Sequence, residues 1–303
     1  MIQSVKVTNH VNESLLIDLK NPEASGFVIR SIDGLGPGKA SLSTIDRATM
    51  DGAVFSSARV PARNIIFTLT FAGNTSAETL RNKSYRYFPL KKTIKLNFIT
   101  DERTCEISGV VESNEPNIFS QEESLSISVM CPVPFFTVGE AYRQVTYLSG
   151  VSPEFEFPFE NDSLIDNRLT MGTIGKLMQN IITYNGDVDT GVVIKIHAVG
   201  EAENVTFYNL GTREQFKINT AMLEKVTGSK IKAGDDITIS TVKGAKYVHL
   251  LRNGETSNIL NCVDKGVSWF QITNGDNRFA YTADFGDTNL QIRIENQVYY
   301  EGL

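Results

Sequence analysis

The feature that most constrains this chain is a period-two alternation of apolar and polar residues. In 123–130, Glu-Ser-Leu-Ser-Ile-Ser-Val-Met, Leu125, Ile127 and Val129 fall on one side of an extended backbone. Ser124, Ser126 and Ser128 fall on the other. Successive side chains of a strand point to opposite faces, so this segment has one buried face and one that is wet or covered by a partner. The same alternation runs through 2–8, 14–20, 26–32, 64–71, 93–100 and 104–111. A chain patterned in this way folds as sheets. One helix is predicted in the first half, over 76–86, with Thr75 and Glu78 as a capping box. Ala77, Leu80 and Tyr85 form its apolar stripe, and Pro89 follows its end.

At 303 residues the chain has length for about two domains of roughly 150 residues each. Its 41% hydrophobic content is enough for a core and excludes disorder of the whole chain. The character changes at 131–153, where Pro132, Pro134, Gly139, Gly150 and Pro153 punctuate Phe135, Phe136, Tyr142 and Tyr147. The junction there divides the chain into a domain over 1–140 and a second over 141–303. The second half reads as strands at 153–159, 178–184, 192–199, 203–209, 214–219, 235–242, 245–251, 267–272, 276–282 and 289–295, with a weak helical turn at 220–226. Asn185-Gly186, Asn253-Gly254 and Asn274-Gly275 are hairpin-turn signals, because both positions tolerate positive φ. Many short strands at close spacing predict a β-sandwich.

The segment from Asp33 to Pro61 lies between two good strands and holds Gly34, Gly36, Pro37 and Gly38, then many small and polar residues. Long structureless loops are uncommon in compact domains, so it is expected to be ordered by a partner. It is not a phosphate loop. Asp33 stands where the first glycine is needed, Ala40 replaces the final Ser or Thr, and Pro37 lacks an amide donor. Other chemistry is equally thin. His10, His197 and His249 are isolated, and His197 reads as a solvent-side strand residue. Glu154, Glu156 and Glu160 alternate with Phe155, Phe157 and Phe159, which is a solvated face before it is a glycosidase pair. Asp187 and Asp189 lack the further ligands of a calcium loop. Trp269-Phe270 offers a sugar-stacking platform or, more simply, one exposed and one buried aromatic. No motif calls for a cofactor or a metal, and no enzyme activity is expected.

The net charge of −6 argues against sequence-independent nucleic-acid binding, which needs a positive surface. No window is apolar enough to span a membrane and the first residues do not read as a secretory signal. The three cysteines, Cys105, Cys131 and Cys262, are widely spaced and predict folding in a reducing cytoplasm.

The order of features resembles the distal tail proteins of tailed bacteriophages, a siphophage tail-component family. The resemblance runs along nearly the whole chain. It rests on Ser31-Ile32-Asp33-Gly34, Asp51-Gly52 and Arg63 to Leu69 in the first half. In the second half it rests on Tyr184 to Gly191, Gly234 to Ile239, Leu251 to Gly254, Trp269 to Ile272, Gly275 to Phe279 and Tyr299 to Gly302. It implies a mainly β chain, with an N-terminal tail-tube-like β-barrel carrying one helix and a C-terminal galectin-like β-sandwich. It also implies a homohexameric ring at the virion tail tip. That ring joins the tail tube protein to the tail-tip hub protein and supports receptor-binding or baseplate proteins, with DNA only in transit through the channel. Gly34, Gly36, Pro37, Gly38, Asp51 and Gly52 then mark an assembly loop, and a serine-lined strand suits a wet channel wall. The galectin sugar-binding spacing is absent around His197 and His249, and Trp269 lacks the charged pair that follows it in galectins. The alternatives are the equivalent ring of a contractile tail or tail-like bacteriocin and, from another class, a carbohydrate-binding protein using Trp269.

Overall fold

A computed structural model describes residues 1–48, 51–120, 122–139, 143–148, 150–153, 172–175 and 179–303. The expected strand at 153–159, with Glu154, Glu156 and Glu160, lies outside the described residues but for Pro153. The chain divides into two units, Met1–Tyr142 with Tyr299–Leu303, and Arg143–Val298. The last five residues thus belong with the first unit, whereas the sequence reading put everything after 140 in the second.

In the first unit the predicted alternation forms β1 (Ile2–Thr8), β2 (Ser14–Asp18), β3 (Phe27–Asp33), β4 (Ser41–Asp46), β5 (Ala53–Arg59), β6 (Arg63–Phe71), β7 (Thr93–Thr100), β8 (Thr104–Asn117), β9 (Ser124–Cys131) and β10 (Phe136–Thr137). Seven of them make one antiparallel sheet in the order β2-β1-β7-β8-β9-β6-β3. A short strand at Tyr299–Tyr300 pairs with β10, which also pairs with β8. One face of the sheet is the core, built on Val5, Val7, Ile65, Phe67, Leu69, Leu96, Phe98, Leu125, Ile127 and Val129. The Phe67 ring lies parallel to Phe98, with centroids 6.3 Å apart, and tilted against Phe88 at 6.0 Å.

The expected barrel is not closed: β2 and β3 are the two edges of the sheet and do not pair. The reason is local. The chain passes between them through the one-turn helix α1 (Pro22–Ser25), which packs against both strands and is closed by the Gly26 amide donating to the Pro22 carbonyl. The predicted helix is α2 (Ala77–Tyr87). Its cap is Ser76 rather than Thr75; the Ser76 hydroxyl accepts from the Thr79 amide at 3.3 Å. Leu80 and Ser84 are its buried positions, whereas Tyr85 is exposed, so the apolar stripe is rotated from the predicted one.

The second unit contains β11 (Gln144–Tyr147), β12 (Gly150–Pro153), β13 (Gly172–Gly175), β14 (Gln179–Tyr184), β15 (Thr190–Gly191), β16 (Val193–Ala198), β17 (Thr206–Asn209), β18 (Glu214–Lys217), α3 (Thr220–Thr227), β19 (Asp236–Ser240), β20 (Tyr247–Arg252), β21 (Glu255–Asn258), β22 (Gln271–Ile272), β23 (Gly275–Thr282) and β24 (Leu290–Asn296). A six-stranded sheet runs β11-β24-β16-β19-β20-β21 and a four-stranded sheet runs β14-β23-β17-β18. They share a core: Ile194, Ile196, Ile237, Ile239, Leu250 and Ile292 from the first meet Ile182, Phe207, Phe216 and Phe279 from the second. Asn253 and Gly254 both take positive φ and close the β20–β21 hairpin, as their sequence predicts. Asn185-Gly186 and Asn274-Gly275 do not close hairpins, because β14 and β23 on their flanks pair with each other. The α3 turn is a full helix capped by Asn219, whose side chain accepts from Met222 N at 3.1 Å.

The pair of buried Asp235 and half-buried Arg252 braces this unit. Arg252 donates to Asp235 through Nε at 2.8 Å and through Nη2 at 2.6 Å, and also to Thr227, Ser229 and the Lys230 carbonyl. The bond to Asp235 holds the Arg252 guanidinium above its ordinary value, against the opposing effect of burial.

Candidate assembly surface

The Asp33–Pro61 segment is not a structureless loop. Most of it is the antiparallel ribbon β4–β5, with Leu42 opposite Ala58, Thr44 opposite Phe55 and Ile45 opposite Val54. A register shift between Ser43 and Thr44 marks a bulge. Every residue of both strands is exposed, including Leu42 (64%), Ile45 (58%), Val54 (42%) and Phe55 (61%). Cross-strand partners share a face, so Phe55 lies on one face of the ribbon while Ile45 and Val54 lie on the other. A two-stranded ribbon is marginal by itself in water. One with large apolar side chains on both faces is built to be covered.

The glycines of the predicted assembly loop separate into two places. Asp51 and Gly52 sit at the distal turn, with Gly52 at φ +87°. Gly34, Gly36, Pro37 and Gly38 form the root, around a cavity of about 300 Å³ also lined by Lys39 and Pro61 to Asn64. Gly34 is at φ +86°, and a Cβ there would meet the Asn64 carbonyl oxygen at 2.2 Å. Only glycine lets β3 leave the sheet this close to β6.

The residue that organises the root is Arg63, which the sequence places at the head of the Arg63 to Leu69 run but gives no role of its own. It is 6% exposed. Its Nη1 donates to the carbonyls of Gly34 and Gly36, both at 2.9 Å, and its Nη2 donates to the Glu301 carbonyl. The guanidinium also lies 4.7 Å from the centre of the Phe136 ring. Burial pulls its pKa below the ordinary value, opposed by Cys131 and Glu301. Three carbonyl dipoles and an aromatic face serve here in place of a carboxylate. The Tyr299–Leu303 segment is fastened at the same place: Arg103 stacks over Tyr300 at 4.2 Å and donates to the Gly302 carbonyl at 3.1 Å, and Leu303 N donates to Leu35 O at 3.2 Å. A signal for Arg63 was present in the sequence. It shares the phase of Ile65, Phe67 and Leu69, all buried, so it had to be a charge on the core face.

The opposite face of the same sheet carries a polar cluster. Ser128 Oγ lies 2.9 Å from Asn64 Oδ1 and 2.8 Å from Glu112 Oε2, joining β6, β9 and β8. Trp269, the candidate sugar platform, packs edge-on against Phe216 with centroids 5.3 Å apart, and Lys246 Nζ lies 5.2 Å from its ring centre. His197 is on the solvent side of β16, its Nδ1 at 2.7 Å from Asp236 Oδ1. Among the described residues there is no His, Cys, Asp and Glu group placed to hold a metal ion.

No protein-family model matches the sequence, and no curated protein matches it. Solved structures do. The chain is similar to the Dit protein of phage SPP1, described as a paradigm of the hub adsorption apparatus in phages that infect Gram-positive bacteria. The TM-score is 0.62 at 12% identity, covering 97% of this chain and 98% of that one. A chain of the phage P2 baseplate, in its activated conformation with Ca, matches at a TM-score of 0.44 and 11% identity, over 98% of each chain. The SPP1 match extends over both units, so the fold of this chain, mainly β and in several sheets, is that of the SPP1 Dit protein.

Proposed function

We propose that this protein is a non-enzymatic structural component of a phage tail tip, a ring-forming hub of the distal tail kind. The observation that carries the reading is the β4–β5 ribbon: a fully exposed hairpin with apolar side chains on both faces, on a chain with the fold of SPP1 Dit. In this reading the ribbon is an intersubunit arm, held at its root by Arg63 and covered by a neighbouring copy in a homohexamer. The serine- and threonine-lined face of β6 and β9 lines a wet channel through which DNA passes, and a chain of net charge −6 neutralises few phosphates on the way. The first unit is the counterpart of a tail-tube-like barrel, left open here at the β2–β3 seam. The second is a galectin-like sandwich on the outside of the ring. The partners are the tail tube protein, the tail-tip hub protein and receptor-binding or baseplate proteins, with assembly in the host cytoplasm and a final place in the virion tail. Among the described residues no helix is long and apolar enough to cross a membrane.

The test is size-exclusion chromatography with light scattering and negative-stain class averages, on the native chain and on one with residues 41–59 replaced by a short Gly-Ser linker. The native chain is expected to form sixfold rings with a central hole. The ribbonless chain is expected to be monomeric with both units still folded. Rings formed without the ribbon would overturn its assignment as the arm, and a native chain that stays monomeric at every concentration would overturn the self-assembling ring.

A further inference from the structure

The cavity of about 300 Å³ at the ribbon root is lined from both ends of the ribbon, by residues between Gly34 and Lys39 on one side and by Pro61 to Asn64 on the other. Two of the lining residues are charged, Lys39 and Arg63, and both are cations. None of the described residues that line it is acidic. Glu301 places one negative charge near Arg63. Two cations against one carboxylate leave one positive charge over, on a chain that is negative overall.

Arg63 is the unusual member. A buried cation is ordinarily paired with an anion, or has all its donors engaged. A guanidinium carries five N–H donors, and three of those of Arg63 reach carbonyls: two from Nη1, to Gly34 and Gly36, and one from Nη2, to Glu301. Nε is buried and meets no acceptor, and one N–H of Nη2 is left over. Nε and Nη2 share one edge of the planar fork, an edge whose paired donors match the two oxygens of a carboxylate. Room for an acid lies on the Nη2 side. A Cβ on Gly38 would sit 3.9 Å from Arg63 Nη2 and 3.1 Å from Val60 Cγ1, so glycine there keeps the approach to Nη2 open. The Phe136 ring already covers a face of the guanidinium, so a ligand meets the fork at its edge and not by stacking. Lys39, exposed beside Gly38, supplies the second cation. The volume is at the lower end of the range of about 300–1,000 Å³ for small-molecule sites, which fits one acid group on a short aliphatic stem. A single unbalanced positive charge favours a singly charged acid over a phosphate dianion or a polyanion.

We propose that the root cavity is a carboxylate-binding site, in which the acid seats beside Gly38 against the Nε–Nη2 edge of Arg63, with Lys39 as its second cation. The carboxylate comes from a free aliphatic acid or from an Asp or Glu side chain of another protein chain, and the site stands whether or not the ribbon is an intersubunit arm. The test follows the Arg63 Nε–H signal in 15N-resolved spectra of the full chain, assigned through its contacts with the Phe136 ring. The chain is titrated at constant ionic strength with propionate, propionamide, inorganic phosphate and the peptide acetyl-Gly-Glu-Gly-amide. Propionate is expected to shift the signal saturably, and propionamide and phosphate to bind about tenfold more weakly or worse. Lys39→Gln and Gly38→Ala leave the carbonyl bonds of Arg63 in place, and each is expected to weaken propionate about threefold to tenfold. A peptide that binds more tightly than propionate assigns the site to a protein side chain; one that binds equally or more weakly assigns it to a free acid. No saturable shift with propionate, an equal response to propionamide or to phosphate, or variants that both bind like the native chain would each overturn the proposal.

Discussion

Two antiparallel strand pairs in the first unit, β4–β5 and β6–β9, start from similar material and end differently. In β6–β9 the register sets Ile65 opposite Val129, Phe67 opposite Ile127 and Leu69 opposite Leu125, and all six are fully buried. In β4–β5 the paired Ile45 and Val54 are both exposed, and so is Phe55 opposite Thr44. The β6 strand alternates buried and half-buried residues strictly from Arg63 to Thr70 and has neighbours on both edges, β3 and β9. The ribbon has an irregular register, apolar groups on both faces and, among the described residues, no third strand. Hydrogen-bonded pairing alone does not bury side chains; a second layer does. The ribbon thus has the chemistry of an interface, whereas β6–β9 has the chemistry of a core.

The largest effect that separates them comes from truncating one phenylalanine in each. Phe67→Ala removes a ring packed against Phe88 and Phe98 and is expected to cost about 3–5 kcal/mol by urea denaturation of the first unit's transition. Phe55→Ala, measured on the unassembled chain, is expected to change stability by less than about 0.5 kcal/mol. A Phe55→Ala loss as large as that at Phe67 would show that the ribbon is packed in solution and would break the comparison.

The contrast also marks how far the sequence could be read. The strands β1, β6, β7, β8 and β9 follow from alternation, because their buried apolar residues recur at every second position, as Leu125, Ile127 and Val129 do in β9. The ribbon was missed as secondary structure because its apolar residues serve both faces, so no one-sided period exists to detect. The open β2–β3 seam was not legible either, since it depends on where α1 and Gly26 send the chain in space. At the candidate assembly surface, Gly34 to Gly38 were flagged by composition, but their partners Gly302 and Leu303 lie more than two hundred residues away. Only Arg63 could have been found earlier, by asking why a cation shares the phase of a buried row.

A second measurement sharpens the comparison at the joint between the two regions. Arg63 opens β6, and its guanidinium holds the ribbon root. Arg63→Ala leaves the Gly34, Gly36 and Glu301 carbonyls without this donor and is expected to cost about 1.5–3 kcal/mol. Hydrogen exchange gives the sharper signature. Amides around Leu35 to Lys39 and Leu303 are expected to lose protection, while those of Ile65 to Leu69 keep it. Uniform loss across both sets would make Arg63 a core brace rather than a root clamp.

The smallest effect lies at the root end of the β6–β9 pair. Cys131 faces Arg63 in the register and is fully buried, and that burial pushes its thiol pKa from 9.0 up to about 11, with Arg63 opposing. The folded state therefore keeps the proton to a higher pH than the unfolded state does. Its contribution to stability is whole below an unfolded value near 9.0 and is lost progressively as pH rises toward about 11. At about pH 10 the difference is expected to be on the order of 1 kcal/mol. Cys105 and Cys262 shift the same way, so the comparison is between native chain and Cys131→Ala, which share every other alkaline titration. Their urea midpoints are expected to converge as pH rises, because the native chain alone loses the Cys131 contribution. Midpoints that stay parallel from neutral to strongly alkaline pH would mean that solvent reaches the thiol, and that the end of β9 next to the ribbon root opens more readily than its centre.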